Sequence, residues 1–97
     1  MLKRMVKMTF QKDRIPDFLA IFEESKHLIR NFPGCQHLEL LHLEGQPEVM
    51  FTFSIWDGPE ALETYRQSNL FQSTWSKTKV LFAGKPEAWS MGVVSEV

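Results

Sequence analysis

The chain has 97 residues, 43% of them hydrophobic and 12% aromatic, which is the balance of one small globular domain over residues 1–97 and excludes a disordered chain. Its formal net charge is −1 with Lys and Arg scattered along the sequence, which excludes a basic nucleic-acid surface and a polybasic membrane patch. No stretch approaches the roughly 20 apolar residues of a membrane span. No long apolar run of a secretory signal follows Lys3, Arg4 and Lys7, and the single cysteine, Cys35, forms no intrachain disulfide and points to a reducing, cytoplasmic compartment.

Leu2 to Phe10 alternates as a strand. Arg4, Val6, Met8 and Phe10 share its more apolar face, and Lys3, Met5, Lys7 and Thr9 share the other. Asp13 is placed to cap a helix, with Pro16 tolerated in the first turn. Ile15, Phe18, Leu19, Phe22 and Ile29 then fall on one helical stripe that Ile21 and Leu28 widen. Asn31-Phe32-Pro33-Gly34 ends that helix, because a residue before proline avoids the α region.

Cys35 to Leu43 is a second strand of imperfect period, with leucines on both faces. Glu44-Gly45-Gln46-Pro47 turns the chain. Val49 to Trp56 is a third strand, dense in aromatic and β-branched residues. Asp57 and Glu60 have the spacing of a capping box, with Pro59 in the first turn of a short helix whose inner face carries Ala61, Leu62 and Tyr65. Ser68 or Asn69 restarts a helical piece with Leu70, Phe71, Trp75 and Val80 inward, ended by Gly84 and Pro86. Ala88 to Val94 reads as the last strand.

The order β-α-β-β-α-β is that of an α+β, ferredoxin-like domain: a four-stranded antiparallel sheet with the helices on one face. The other face of such a sheet is left open. Both faces of the third strand are at least partly apolar, so the open face is expected to pair with a second copy, giving a homodimer and a closed barrel.

Few side chains present themselves for chemistry. His27, His37 and His42 lack the spacing of a metal site, and the glycines are isolated, so no phosphate loop forms and no nucleotide cofactor is indicated. His37 and Glu39 share a strand face. They are either a base with its orienting carboxylate or a polar patch within the dimer interface, and the patch is the preferred reading. Cys35 reads as a small core residue, and Trp56 as a core filler. Tyr65 is either a core aromatic or a hydrogen-bond donor to a ligand oxygen; to act as a base its pKa would have to fall from about 10. Trp75 either packs in the core or stacks on a flat ligand.

Phe53-Ser54-Ile55-Trp56, the acidic helix start from Asp57 to Leu62, the Ser68–Phe71 element, Trp75 and the Phe32-Pro33-Gly34-Cys35 turn carry a resemblance. Over nearly its whole length the chain resembles the antibiotic biosynthesis monooxygenase family. The resemblance implies a small dimeric α+β barrel with a ligand cavity between helices and sheet. It also implies enzymes that oxidise phenols or quinols with molecular oxygen, often without metal or flavin. Haem-degrading relatives carry Asn, Trp and His at the positions matched here by Val6, Tyr65 and Trp75, so haem degradation is not expected. Other relatives carry His at the positions of Tyr65 and Leu70, and that acid–base group is absent too. Val6, Tyr65, Phe71 and Trp75 are the expected pocket residues, Tyr65 and His37 the candidate catalytic ones, and no cofactor or metal is expected. A non-catalytic ligand-binding or sensing dimer is the alternative.

Overall fold

The computed structural model describes residues 1–97. Strand β1 (Leu2–Thr9) leads through a 3-10 turn (Lys12–Arg14) into helix α1 (Ile15–Arg30). Then come β2 (Cys35–Leu43), β3 (Gln46–Trp56), the short helices α2 (Pro59–Arg66) and α3 (Asn69–Lys79), and β4 (Glu87–Gly92). The sheet order is β2-β3-β1-β4, with every neighbouring pair antiparallel. This is the ferredoxin-like arrangement expected from the sequence, with the second helix broken in two. No helix is long and apolar enough to cross a membrane.

Ser68 makes that break. Its side-chain oxygen accepts from the Phe71 backbone N–H at 3.1 Å, capping α3. Its hydroxyl also donates to the Tyr65 carbonyl at 2.6 Å, holding the end of α2. One serine thus fixes α2 and α3 relative to each other.

Other expected caps do not form. Asp13 lies in the 3-10 turn, and α1 is capped at Arg14 without a side-chain hydrogen bond. Arg14 instead pairs with Asp17 at 2.6 Å. The capping box at Asp57 is also absent: Gly58 is the N-cap of α2, and the Asp57 carboxylate accepts from Gln36 Nε2 at 2.8 Å. A hydrogen bond to a neighbouring strand competes for the same oxygen that would cap the helix.

The irregular period of β2 is a β-bulge. Cys35 pairs with Trp56 and His37 with Ile55, so Gln36 is an extra residue. Cys35 and Leu38 therefore face the helices, while His37, Glu39 and Leu41 face away. A second irregularity lies where Leu43 pairs with Gln46, so β3 starts earlier than expected and Pro47 occupies a position with no strand partner on β2. A proline there removes no ladder hydrogen bond. At the other end β4 stops at Gly92 rather than Val94.

Packing corrects three further positions. Leu19, Leu28 and Val80 are exposed, at 44%, 60% and 64%. Ser25 takes the inward place on α1 between Phe18 and Ile29, and Thr78 and Leu81 do so at the end of α3. Both hydroxyls are tolerated because each donates to its own helix: Ser25 to the Ile21 carbonyl and Thr78 to the Thr74 carbonyl, both at 2.8 Å.

The core is two clusters. Met8, Phe10, Phe18, Met50 and Leu81 close one end of the sheet–helix interface. Cys35, Trp56 and Leu62 close the other, under Phe32 and Tyr65. Only 13 residues of the 97 are buried, few even for a small domain, because the far side of the sheet has no covering layer. There the pairing register lines up Glu39, Phe53, Met5 and Trp89 in one row, and His37, Ile55, Lys3 and Met91 in another. Trp89 and Met91 are 43% and 44% exposed.

Candidate active site

Between the two clusters the sheet and helices do not meet, and a cavity of about 110 Å³ remains, open to solvent at one side. Its floor comes from the helix-facing positions of β1 and β3: Arg4, Val6, Thr52 and Ser54. Alternation along the strands sets this floor, since every second residue of each strand projects to the helices. Its walls and roof come from α1, α2 and α3, including Tyr65, Phe71 and Trp75.

Val6, Tyr65, Phe71 and Trp75, the pocket residues expected from the sequence, thus border one cavity. The aromatic rings form a continuous series. Trp56 stacks on Tyr65 at 4.9 Å between centroids, Tyr65 meets Phe71 edge-on at 5.3 Å, and Phe71 stacks on Trp75 at 5.9 Å with only 10° between planes. Phe32 supports Tyr65 from outside at 5.3 Å, and Phe82 supports Trp75 at 5.5 Å. Rings held by such contacts on both sides lose little further freedom when a flat ligand enters.

Most polar groups in the lining are already engaged. Ser54 accepts from the Trp56 indole N–H at 3.0 Å, and Ser25 and Thr78 bond their own helices. The Tyr65 hydroxyl has no partner in the chain and is not fully sealed from solvent, and Tyr65 is one of the residues lining the cavity. Burial pushes its pKa well above the ordinary tyrosine value, and the nearby Cys35 thiol adds to the shift. Tyr65 therefore stays protonated and is a hydrogen-bond donor; the base role would need the opposite shift.

His37 is elsewhere. It lies on the open face of the sheet, beside Phe53 at 5.7 Å between rings and 3.4 Å from a Glu39 carboxylate oxygen. The sheet separates it from Tyr65. Both members of the pair are nearly half-exposed. Cys35 is buried, and burial raises its thiol pKa, so it rests as an inert thiol. No three His, Cys, Asp or Glu side chains converge as a metal site would require.

Arg4, Arg66 and Ser54 belong to the cavity but were not singled out from the sequence. The signal for Arg4 was present: a charged residue on the apolar face of the first strand, in line with Val6 and Met8. Arg66 carried none, since it is the last residue of a short helix whose length periodicity does not define.

The family model described as antibiotic biosynthesis monooxygenase matches residues 1–75. The chain belongs to the antibiotic biosynthesis monooxygenase family. No protein of curated function matches it. Solved structures extend the likeness past residue 75. A crystal structure of an antibiotic biosynthesis monooxygenase is 18% identical, with a TM-score of 0.92 over 98% of this chain and all of the other. Rv0793 from Mycobacterium tuberculosis is 14% identical, with a TM-score of 0.89 over 98% of this chain and 96% of its own. A conserved protein from Methanosarcina mazei Go1 is 12% identical, with a TM-score of 0.89 over 93% of this chain and 89% of its own. At these identities the structures show the shared fold, and the family description supports a monooxygenase at the level of the family.

Proposed function

We propose that this family member is a cofactor-independent monooxygenase acting on a small aromatic molecule of the phenol or quinol class. The observation that carries the reading is the aromatic series Trp56–Tyr65–Phe71–Trp75 bordering one cavity, with a protonated Tyr65 hydroxyl that has no partner in the chain. The cavity of about 110 Å³ is smaller than the apolar cavity of about 150 Å³ that holds benzene, so it takes part of a ring and the rest of the ligand extends through its open side.

The chemistry follows from what lines the site. Tyr65 donates to the ligand oxygen, and that bond strengthens as negative charge grows there. No carboxylate or imidazole lines the cavity, so the substrate's proton leaves to water at the mouth. The keto tautomer of a phenol presents a ring CH2. With O2 it becomes C=O and H2O: a C–O bond forms as the C–H and O–O bonds break. The substrate supplies every electron that oxygen takes. The protein contributes orientation, exclusion of water and the Tyr65 hydrogen bond.

The working unit in this reading is a homodimer formed through the open sheet face, where Met5, Phe53 and Trp89 stand in one row beside half-exposed Met91. Its compartment is the cytoplasm, where a free thiol such as Cys35 stays reduced.

Oxygen uptake by the purified, metal-free protein with a panel of hydroquinones and anthrones tests the proposal. Protein-dependent uptake with a product one oxygen richer supports it. The lack of an acid–base side chain in the lining favours one other reading, a ligand-binding or sensing dimer. Ligand that binds and leaves unchanged, with no uptake, selects that reading.

A further inference from the structure

The cavity holds two cations and no anion. Arg4 projects from the middle of the sheet into the lining, and Arg66 reaches it from the last turn of α2. Arg4 forms no ion pair; its guanidinium donates to Ser90 Oγ at 3.0 Å. Arg66 has one contact, with Glu63 at 3.4 Å, in which both side chains are about half-exposed. Such a pair is weak in water and yields readily to a better acceptor. Both guanidiniums reach solvent: the Arg4–Ser90 bond is exposed, and the Arg66 side chain is about half-exposed.

This arrangement is unfavourable for the two charges by themselves. Burial disfavours the Arg4 charge, and repulsion from Arg66 disfavours it further. A like-charge pair beside an apolar wall, with no carboxylate in the lining, favours an anion between them. Arginine suits a planar carboxylate in particular, since its N–H groups match the two oxygens.

We propose that Arg4 and Arg66 form an anion subsite at the cavity mouth, and that the preferred ligand is an aromatic acid whose ring lies against Tyr65, Phe71 and Trp75 while its carboxylate meets the two guanidiniums. The inference deepens the aromatic-cavity reading and rests on it. The aromatic walls take the ring, and the open side takes the acid.

The test compares 2-naphthoate with 2-naphthamide, a neutral ligand of the same shape, by quenching of tryptophan fluorescence. Naphthoate is expected to bind about ten- to a hundredfold more tightly, the range of charge-assisted hydrogen bonds. In Arg4→Gln the ratio of the two affinities should fall at least fivefold, and in the Arg4→Gln/Arg66→Gln pair it should approach one. Because Arg66 is half-exposed, Arg66→Gln alone keeps the test open should Arg4→Gln fail to fold; it should lower the ratio too. Equal binding of both ligands, or a ratio that survives the double substitution, overturns the subsite and leaves the aromatic cavity standing. Failure of both ligands to bind overturns the two together. Naphthoate preference supports the subsite whatever the hydroquinone and anthrone panel shows, and that panel alone decides the oxygenase.

Discussion

Trp56 and Tyr65 stack with ring centroids 4.9 Å apart and 26° between their planes. Trp56 ends β3 and Tyr65 lies on α2, so the pair joins the sheet to the helix layer at the edge of the cavity. Trp56 is 1% exposed and serves the core. Tyr65 packs against that core and also lines the cavity, with a hydroxyl that has no partner in the chain. The contact divides structural from functional work between adjacent rings.

Tyr65→Phe should therefore separate the two. If the hydroxyl stabilises charge on the substrate oxygen, turnover falls tenfold or more, at about 1.4 kcal/mol per decade. Stability should change by under about 0.5 kcal/mol, since the hydroxyl has no partner to lose. Oxygen uptake and urea unfolding of the same variant check both. An unchanged rate removes Tyr65 from the chemistry.

The pH response of Tyr65 has a fixed sign. Its folded pKa is raised, so the folded chain holds the phenolic proton more tightly than the unfolded chain does. Above about pH 10 the unfolded tyrosine ionises first, and stability falls as pH rises. Tyr65 is the only tyrosine, so the rise in absorbance near 295 nm as pH increases at fixed urea, above the constant background of the three tryptophans, is its own. Phenolate should be absent in the folded protein at a pH where the urea-unfolded chain is half-ionised, and Tyr65→Phe should flatten the alkaline loss of stability.

Gly34 is constrained twice. Its φ is +89°, and a Cβ there would stand 2.5 Å from Cβ of Ala61. Its carbonyl also accepts from the Asp57 N–H at 2.8 Å, tying the turn before β2 to the start of α2. Gly34→Ala should cost about 1–3 kcal/mol from the backbone conformation, with the overlap adding to it. Ala61→Gly in the same chain should relieve the overlap and recover part of the loss. Urea midpoints of the two variants decide this; full tolerance of Gly34→Ala would contradict the geometry.

The open face offers a further check. Phe53 sits mid-sheet between Glu39 and Met5. Phe53→Glu should leave the monomer folded and shift sedimentation from about twice 11.3 kDa to 11.3 kDa. A wild-type chain already monomeric at micromolar concentration contradicts the dimer.

Much of this architecture was legible in the sequence. Strand alternation in β1 and β3, the aromatic density before Trp56 and the Ser68 restart are local signals, and the structure follows them. Val6, Tyr65, Phe71 and Trp75 could be grouped because alternation and helical spacing, together with the family pattern, set them on inward faces. What the sequence left unread depends on competition between distant groups. Asp57 bonds Gln36 across the fold rather than its own helix. The Gln36 bulge reverses the phase of β2 in a way that only pairing with β3 reveals. Leu28 looks inward by composition but lies off the buried line of Phe18, Ser25 and Ile29, where the Ser25 hydroxyl is satisfied by the Ile21 carbonyl. The cation pair of Arg4 and Arg66 joins positions far apart in the chain, and no spacing rule connects them.

The most direct measurement is oxidation under ¹⁸O2 by the metal-free protein, with mass spectrometry of product and water. One labelled oxygen in the product, with the other in water, is expected, at a rate that Tyr65→Phe lowers tenfold or more. Unlabelled product, or label incorporated equally fast without protein, would contradict a monooxygenase built on this cavity.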